Sequence, residues 1–76
     1  MVQPRPQYVS VAVGLWLDQL FDYSIPSEME VLPQVGVRVL VPFGPRKRTG
    51  YVLELKEKTD YKGTTKSILE VLDSRP

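Results

Sequence analysis

The sequence predicts a mostly β fold: a small five-stranded, barrel-like domain with little or no helix. Length is the first reason. A chain of 76 residues buries only about 60% of its unfolded surface. That leaves room for one layer of strands closed on itself, or one sheet with a helix, and none for a nucleotide-binding α/β domain. Composition is the second. Eleven valines against a single alanine, with seven prolines, disfavour long helices and favour short strands joined by turns. The third is period-two alternation of apolar residues, recurring in segments spaced about ten residues apart, the signature of a small barrel or sandwich.

Residues 1–7 hold Pro4 and Pro6 and no apolar pattern, and are expected to form a mobile lead-in; residues 8–76 read as one β domain. In the first strand, from Tyr8, Val9, Val11 and Val13 occupy one face and Ser10 and Ala12 the other, until Gly14 breaks it. Leu15–Gln19 fits a loop or a single helical turn. The second strand begins at Leu20, with Phe21, Tyr23 and Ile25 on one face, Asp22 and Ser24 on the other, and Pro26 as its end. Ser27–Gln34 is a connector. The third strand alternates most strongly: Val35, Val37, Val39 and Val41 against Gly36, Arg38 and Leu40. Its valines from Val37 on are expected to form the central inward row. Pro42-Phe43-Gly44-Pro45 stops it, and Arg46-Lys47-Arg48 reads as a basic turn. Tyr51–Lys56 is the fourth strand, Glu57–Thr65 a polar mobile loop, and Lys66–Leu72 the fifth strand.

The absence of cysteine and histidine removes disulfides, zinc sites, thiol nucleophiles and histidine bases together. The nine carboxylates are scattered, and only Glu28 and Glu30 lie close, in a solvated connector. With no phosphate-binding loop either, neither catalysis nor a cofactor is expected of this chain. No apolar run approaches the ~20 residues that span a bilayer. Val9–Leu17 alternates like a strand and runs into Asp18-Gln19 without a small-residue cleavage site, so it reads as structure rather than a signal segment. The net charge is +1, so any attraction for nucleic acid must be local.

Two local features carry chemistry. Arg46-Lys47-Arg48 is either a solvated hairpin tip, the commoner meaning of such a run, or a phosphate contact; Gly44 just before it would let backbone N–H groups approach a ligand. Phe21-Asp22-Tyr23 is also two-sided. At least one of the rings belongs in a core, while Asp22, on the opposite face, would either cap a turn or accept a hydrogen bond from a sugar hydroxyl beside a ring surface for a base.

Four segments in order carry a family likeness: Phe21-Asp22-Tyr23-Ser24-Ile25-Pro26, Gly36 to Gly44 (Gly-Val-Arg-Val-Leu-Val-Pro-Phe-Gly), Thr49-Gly50-Tyr51-Val52, and Lys66 to Asp73 (Lys-Ser-Ile-Leu-Glu-Val-Leu-Asp). From about Tyr8 to Pro76 the chain resembles the amino-terminal 3′ DNA-binding domain of the PriA family of bacterial replication-restart helicases. The resemblance implies a module that recognises the 3′-hydroxyl end of the nascent leading strand at a stalled fork and positions a helicase lying later in a longer chain. It implies that Asp22 accepts a hydrogen bond from the terminal 3′-hydroxyl, that Phe21 and Tyr23 help form the pocket for the terminal base, that Gly44 lets the backbone approach the nucleotide, and that Lys66 neutralises the terminal phosphate. It further implies a cytoplasmic protein working at forks. Its partners would be DNA with a free 3′ end and, through the parent chain, other primosome proteins and single-stranded DNA-binding protein. The parent helicase would use ATP, Mg and Zn.

The hairpin tip varies in the family, so no role passes to Arg46, Lys47 or Arg48. Family domains continue past the position of Pro76 into helical residues, so this chain is expected to be an amino-terminal fragment. Gly36 just before the strand Val37-Arg38-Val39, in a small five-stranded β domain, also resembles a different class, the SH3-like or KOW-type barrels, which bind protein, peptide or RNA. In such a barrel Trp16, Phe21 and Tyr23 would line an aromatic groove. A preference for a 3′-hydroxyl over a 3′-phosphate end separates the two readings, and a purely structural fragment would bind neither.

Overall fold

Alternating valines and dense turn residues give five strands: β1 (Tyr8–Val13), β2 (Leu20–Ser24), β3 (Arg38–Phe43), β4 (Arg46–Lys56) and β5 (Glu70–Val71). They come from a computed structural model that describes residues 6–14, 20–73 and 75. The reading of Leu15–Gln19 as a loop or turn, and residues 1–5 of the lead-in, lie outside the described residues. Among those described there is no helix, and so none long and apolar enough to cross a membrane.

All five strands belong to one antiparallel sheet in the order β2-β1-β4-β3-β5. The all-β expectation holds, but the sheet does not close into a barrel. The fifth strand is two residues long instead of seven and pairs only with Val39 and Leu40 of β3. The opposite edge, β2, meets the segment before β5 at a single parallel bridge, Ser24 to Ser67. One bridge is not a ladder, so the two edges approach without being zipped.

The core is the inward row the alternation marks out. Val9, Val11, Val39, Val41 and Val52 are fully buried, with Val37 and Ile68 beside them. Val13, at the end of β1, is only half-buried. Gly50 faces Val13 on one side and Val39 on the other. A Cβ there would lie 2.4 Å from Val11 Cγ1 and 2.8 Å from the Ala12 carbonyl oxygen, so only glycine lets β1 pass this close.

Two boundaries differ from expectation. Arg46-Lys47-Arg48 is not a turn but the start of β4, and Pro42-Phe43 continue β3. The turn is Gly44-Pro45 alone, with Phe43 and Arg46 directly opposed. Gly44 has φ +61°, and a two-residue hairpin favours glycine with positive φ at its first central position. Pro42 is tolerated because β5 stops at Leu40, leaving β3 with a neighbour on one side only at this point. At its other end β3 begins at Arg38 rather than Val35. Gly36, at φ +96°, bends the chain there, although Gly36 N still donates to the Val52 carbonyl at 2.8 Å.

Candidate functional site

The strand β2 is an edge, and its far side from β1 is open except where the chain returns from the long loop. There Ser24 N donates to the Lys66 carbonyl at 2.9 Å and Ile68 N to the Ser24 carbonyl at 3.1 Å. The hydroxyls of Ser24 and Ser67 lie 2.9 Å apart. These bonds fix the backbone of Lys66 beside Asp22, Tyr23 and Ser24. The β3–β4 hairpin tip reaches the same place, because Phe43 meets Phe21 edge to face with ring centroids 5.2 Å apart.

Between these three pieces lies a cavity of about 480 Å³, within the ~300–1,000 Å³ range of ligand sites. Phe21, Asp22, Tyr23, Gly44 and Lys66 all line it. Residues far apart in sequence thus share one wall, and Phe43 and Tyr61 add aromatic surface that sequence reasoning missed. Trp16 lies outside the described residues.

The two rings of the Phe-Asp-Tyr segment differ in their surroundings. Tyr23 is buried, and its hydroxyl donates to the Pro42 carbonyl at 2.9 Å; burial raises its pKa above the usual tyrosine value. Phe21 is half-buried. Tyr23 therefore belongs to the core and the cavity floor, and Phe21 to the more accessible wall.

Asp22 holds the densest polar cluster among the described residues. Its Oδ1 accepts from Ser10 Oγ at 2.9 Å and from Lys56 Nζ at 3.2 Å. Its Oδ2 accepts from Lys56 Nζ at 3.0 Å and from Thr59 Oγ1. Thr59 Oγ1 in turn accepts from the Tyr61 backbone N–H at 3.1 Å. Burial pushes the Asp22 carboxyl up, but the bonds from Thr59, Lys56 and Ser10, with the charge of Lys56, outweigh it and hold Asp22 below the usual carboxylate range. The same bond raises Lys56 above an ordinary lysine. Ser10, Lys56 and Thr59 were not singled out from the sequence. For Ser10 a signal existed: it is the register partner of Asp22 on the same face of two consecutive strands.

Lys66 is exposed on the rim. Arg46, Lys47 and Arg48 are exposed along the first part of β4. Among the described residues no group of side chains has the composition of a metal site.

Comparison with known proteins places the chain. The family model for the 3′DNA-binding domain (3'BD) of PriA matches residues 10–76. Replication restart protein PriA of Bacillus subtilis is 43% identical over 61 residues, which cover 79% of this chain and 8% of that protein. The Haemophilus influenzae protein of the same name is 42% identical over 69 residues, covering 90% and 9% respectively. A probable replication restart protein PriA of Mycobacterium tuberculosis is 38% identical over 60 residues, or 79% of this chain and 9% of that protein. The chain thus spans about a tenth of the length of these curated relatives. No solved structure gives a significant match. With matches of this extent and identity, the chain belongs to the DNA-binding 3'BD family of PriA.

Proposed function

We propose that this domain binds the 3′-hydroxyl end of a DNA strand in the cavity beside β2, and so places a replication-restart helicase at a stalled fork. The observation that carries the reading is the convergence of Phe21, Asp22, Tyr23, Gly44 and Lys66 on one cavity from three separate stretches of chain.

The roles follow from the chemistry. The terminal base lies against Phe21, with Phe43 and Tyr61 close by. Stacking on aromatic rings is worth ~1–3 kcal/mol per base and tolerates any sequence, as a module acting at any fork requires. Lys66, exposed at the rim, meets the terminal phosphate as a point charge. At Gly44 no side chain fills the space: a Cβ there would have nothing within 4 Å, so the backbone is approachable.

Asp22 has a specific task. A free 3′ end differs from internal DNA by one hydroxyl, and a carboxylate acceptor distinguishes it from a phosphate by charge repulsion as well as by a lost hydrogen bond. The carboxylate already accepts four bonds from three donors, about all its lone pairs can take. An incoming hydroxyl therefore replaces one of them. Ser10 and Lys56 are fixed on β1 and β4, whereas Thr59 is on the loop after β4, so Thr59 is the donor that gives way.

The test compares binding of short single strands ending in a 3′-hydroxyl or a 3′-phosphate to the native chain and to Asp22→Ala. A native preference for the hydroxyl end that Asp22→Ala abolishes supports the reading. Equal affinity for both ends overturns it, and a preference that survives the substitution shifts the acceptor to another group.

A further inference from the structure

The run Arg46-Lys47-Arg48 plays no part in the cavity, yet the fold gives it a definite position. The register opposes Phe43 to Arg46, Pro42 to Lys47 and Val41 to Arg48. Directly opposed residues share a face, so Arg46 lies on the face of Phe43, the ring that meets Phe21 in the cavity wall. Arg48 follows two residues along, about 6.6–6.8 Å farther on the same face. Lys47, between them, projects to the other face. The strand β1 pairs with β4 only from Gly50 onward, so residues 46–49 have no neighbouring strand on that side of β4, and all four are exposed. Among the described residues the ion pairs are Arg38 with Asp73 and Lys56 with Asp22; neither hairpin arginine has a carboxylate partner there.

We infer that Arg46 and Arg48 form a phosphate track on the β3–β4 hairpin, which holds the sugar-phosphate backbone of the strand whose 3′ end occupies the cavity. The inference rests on the cavity reading above and adds a second contact region to it. Two guanidiniums on one face, leading away from Phe43, suit consecutive backbone phosphates, because each fork of N–H donors takes phosphate oxygens in pairs. The contact carries no sequence information. The lysine between them is a built-in control: it has similar charge and chain position but the opposite face.

The test measures binding of a 3′-hydroxyl dinucleotide and of a longer oligonucleotide across a salt series, for the native chain, Arg46→Gln/Arg48→Gln and Lys47→Gln. For single strands each neutralised phosphate contributes about 0.7 to the slope of log affinity against log salt. The double variant is expected to lower that slope by about 1.4 for the longer strand, with an affinity loss of about tenfold at moderate salt. It should leave dinucleotide binding and the preference for a 3′-hydroxyl over a 3′-phosphate end unchanged, and Lys47→Gln should change the slope by much less. An unchanged slope in the double variant overturns the inference, as does an equal drop for Lys47→Gln, which would reduce the effect to diffuse charge. If the native chain shows no end preference while the double variant still lowers the slope, the track stands and the cavity reading falls.

Discussion

Lys56 Nζ lies 3.0 Å from Asp22 Oδ2, joining β4 to β2 across β1, with Ser10 of β1 beneath the pair donating to the same carboxylate. Both side chains are largely shielded, at 23% and 13% exposure. The pair thus ties the edge strand that carries the cavity to the centre of the sheet. Removing the carboxylate leaves an ammonium and two hydroxyls short of a partner. Asp22→Ala is therefore expected to destabilise the chain by roughly 1.5–3 kcal/mol, read as a lower urea midpoint. An unchanged midpoint would show that the cluster contributes nothing to the fold.

Thr59→Val removes the hydroxyl that competes for Asp22 while keeping the side chain's shape. Affinity for a 3′-hydroxyl end is expected to rise by about five- to tenfold, matching ~1–1.4 kcal/mol for one lost competing hydrogen bond. Binding of a 3′-phosphate end should not rise. Weaker binding to the hydroxyl end, in a variant that remains folded by circular dichroism, would mean that Thr59 orders the site instead of occupying it.

Lys66→Ala should weaken binding to all 3′-ended strands alike, whatever the terminal base, and lower the salt slope by about 0.7, the single-strand value for one phosphate contact. Fluorescence anisotropy across a salt series reads both quantities. An unchanged slope would reduce Lys66 to a solvated rim residue.

Stability should fall in acid, and the direction follows from two carboxyls. Asp22 is held low by its donors against the push of burial, and Asp73 by hydrogen bonds from the Arg38 side chain and backbone. Both therefore lie below the ordinary value of 3.8 in the folded chain. The unfolded chain binds more protons there, so the stabilisation is complete above that value and is lost as pH falls through the lower folded values. Urea midpoints should be flat near neutrality and drop below about pH 4. In Asp22→Ala the acid drop should be shallower, and an identical drop would place the acid sensitivity elsewhere.

Much of the fold is legible in the sequence because it rests on period two. Val9 and Val11, and the row Val37, Val39 and Val41, are buried as their alternation requires. The boundaries are less legible where a tight turn overrides composition. Gly44-Pro45 is a complete two-residue hairpin loop, so the three basic residues after it extend a strand rather than forming a loop. Barrel closure depended on a full-length fifth strand, but from Lys66 to Leu69 the chain makes isolated bonds to Ser24 and Leu40 before two residues pair. In the site, Phe21, Asp22 and Tyr23 stand out as a short motif. The donors to Asp22 do not, because Lys56 and Thr59 lie 34 and 37 residues away in sequence. It is the pairing of both β2 and β4 with β1 that brings the end of β4 and the loop after it to Asp22.

The most direct measurement is a nuclear magnetic resonance titration of the native chain with a short single strand ending in either a 3′-hydroxyl or a 3′-phosphate. With the hydroxyl end, the amide signals of Phe21, Asp22, Gly44 and Lys66 are expected to shift together, along with the Thr59 signal as its hydroxyl is displaced. At the same concentration the phosphate end should leave them nearly unmoved. Equal shifts with both ends, or shifts that avoid the cavity, would contradict recognition of a 3′-hydroxyl at this site.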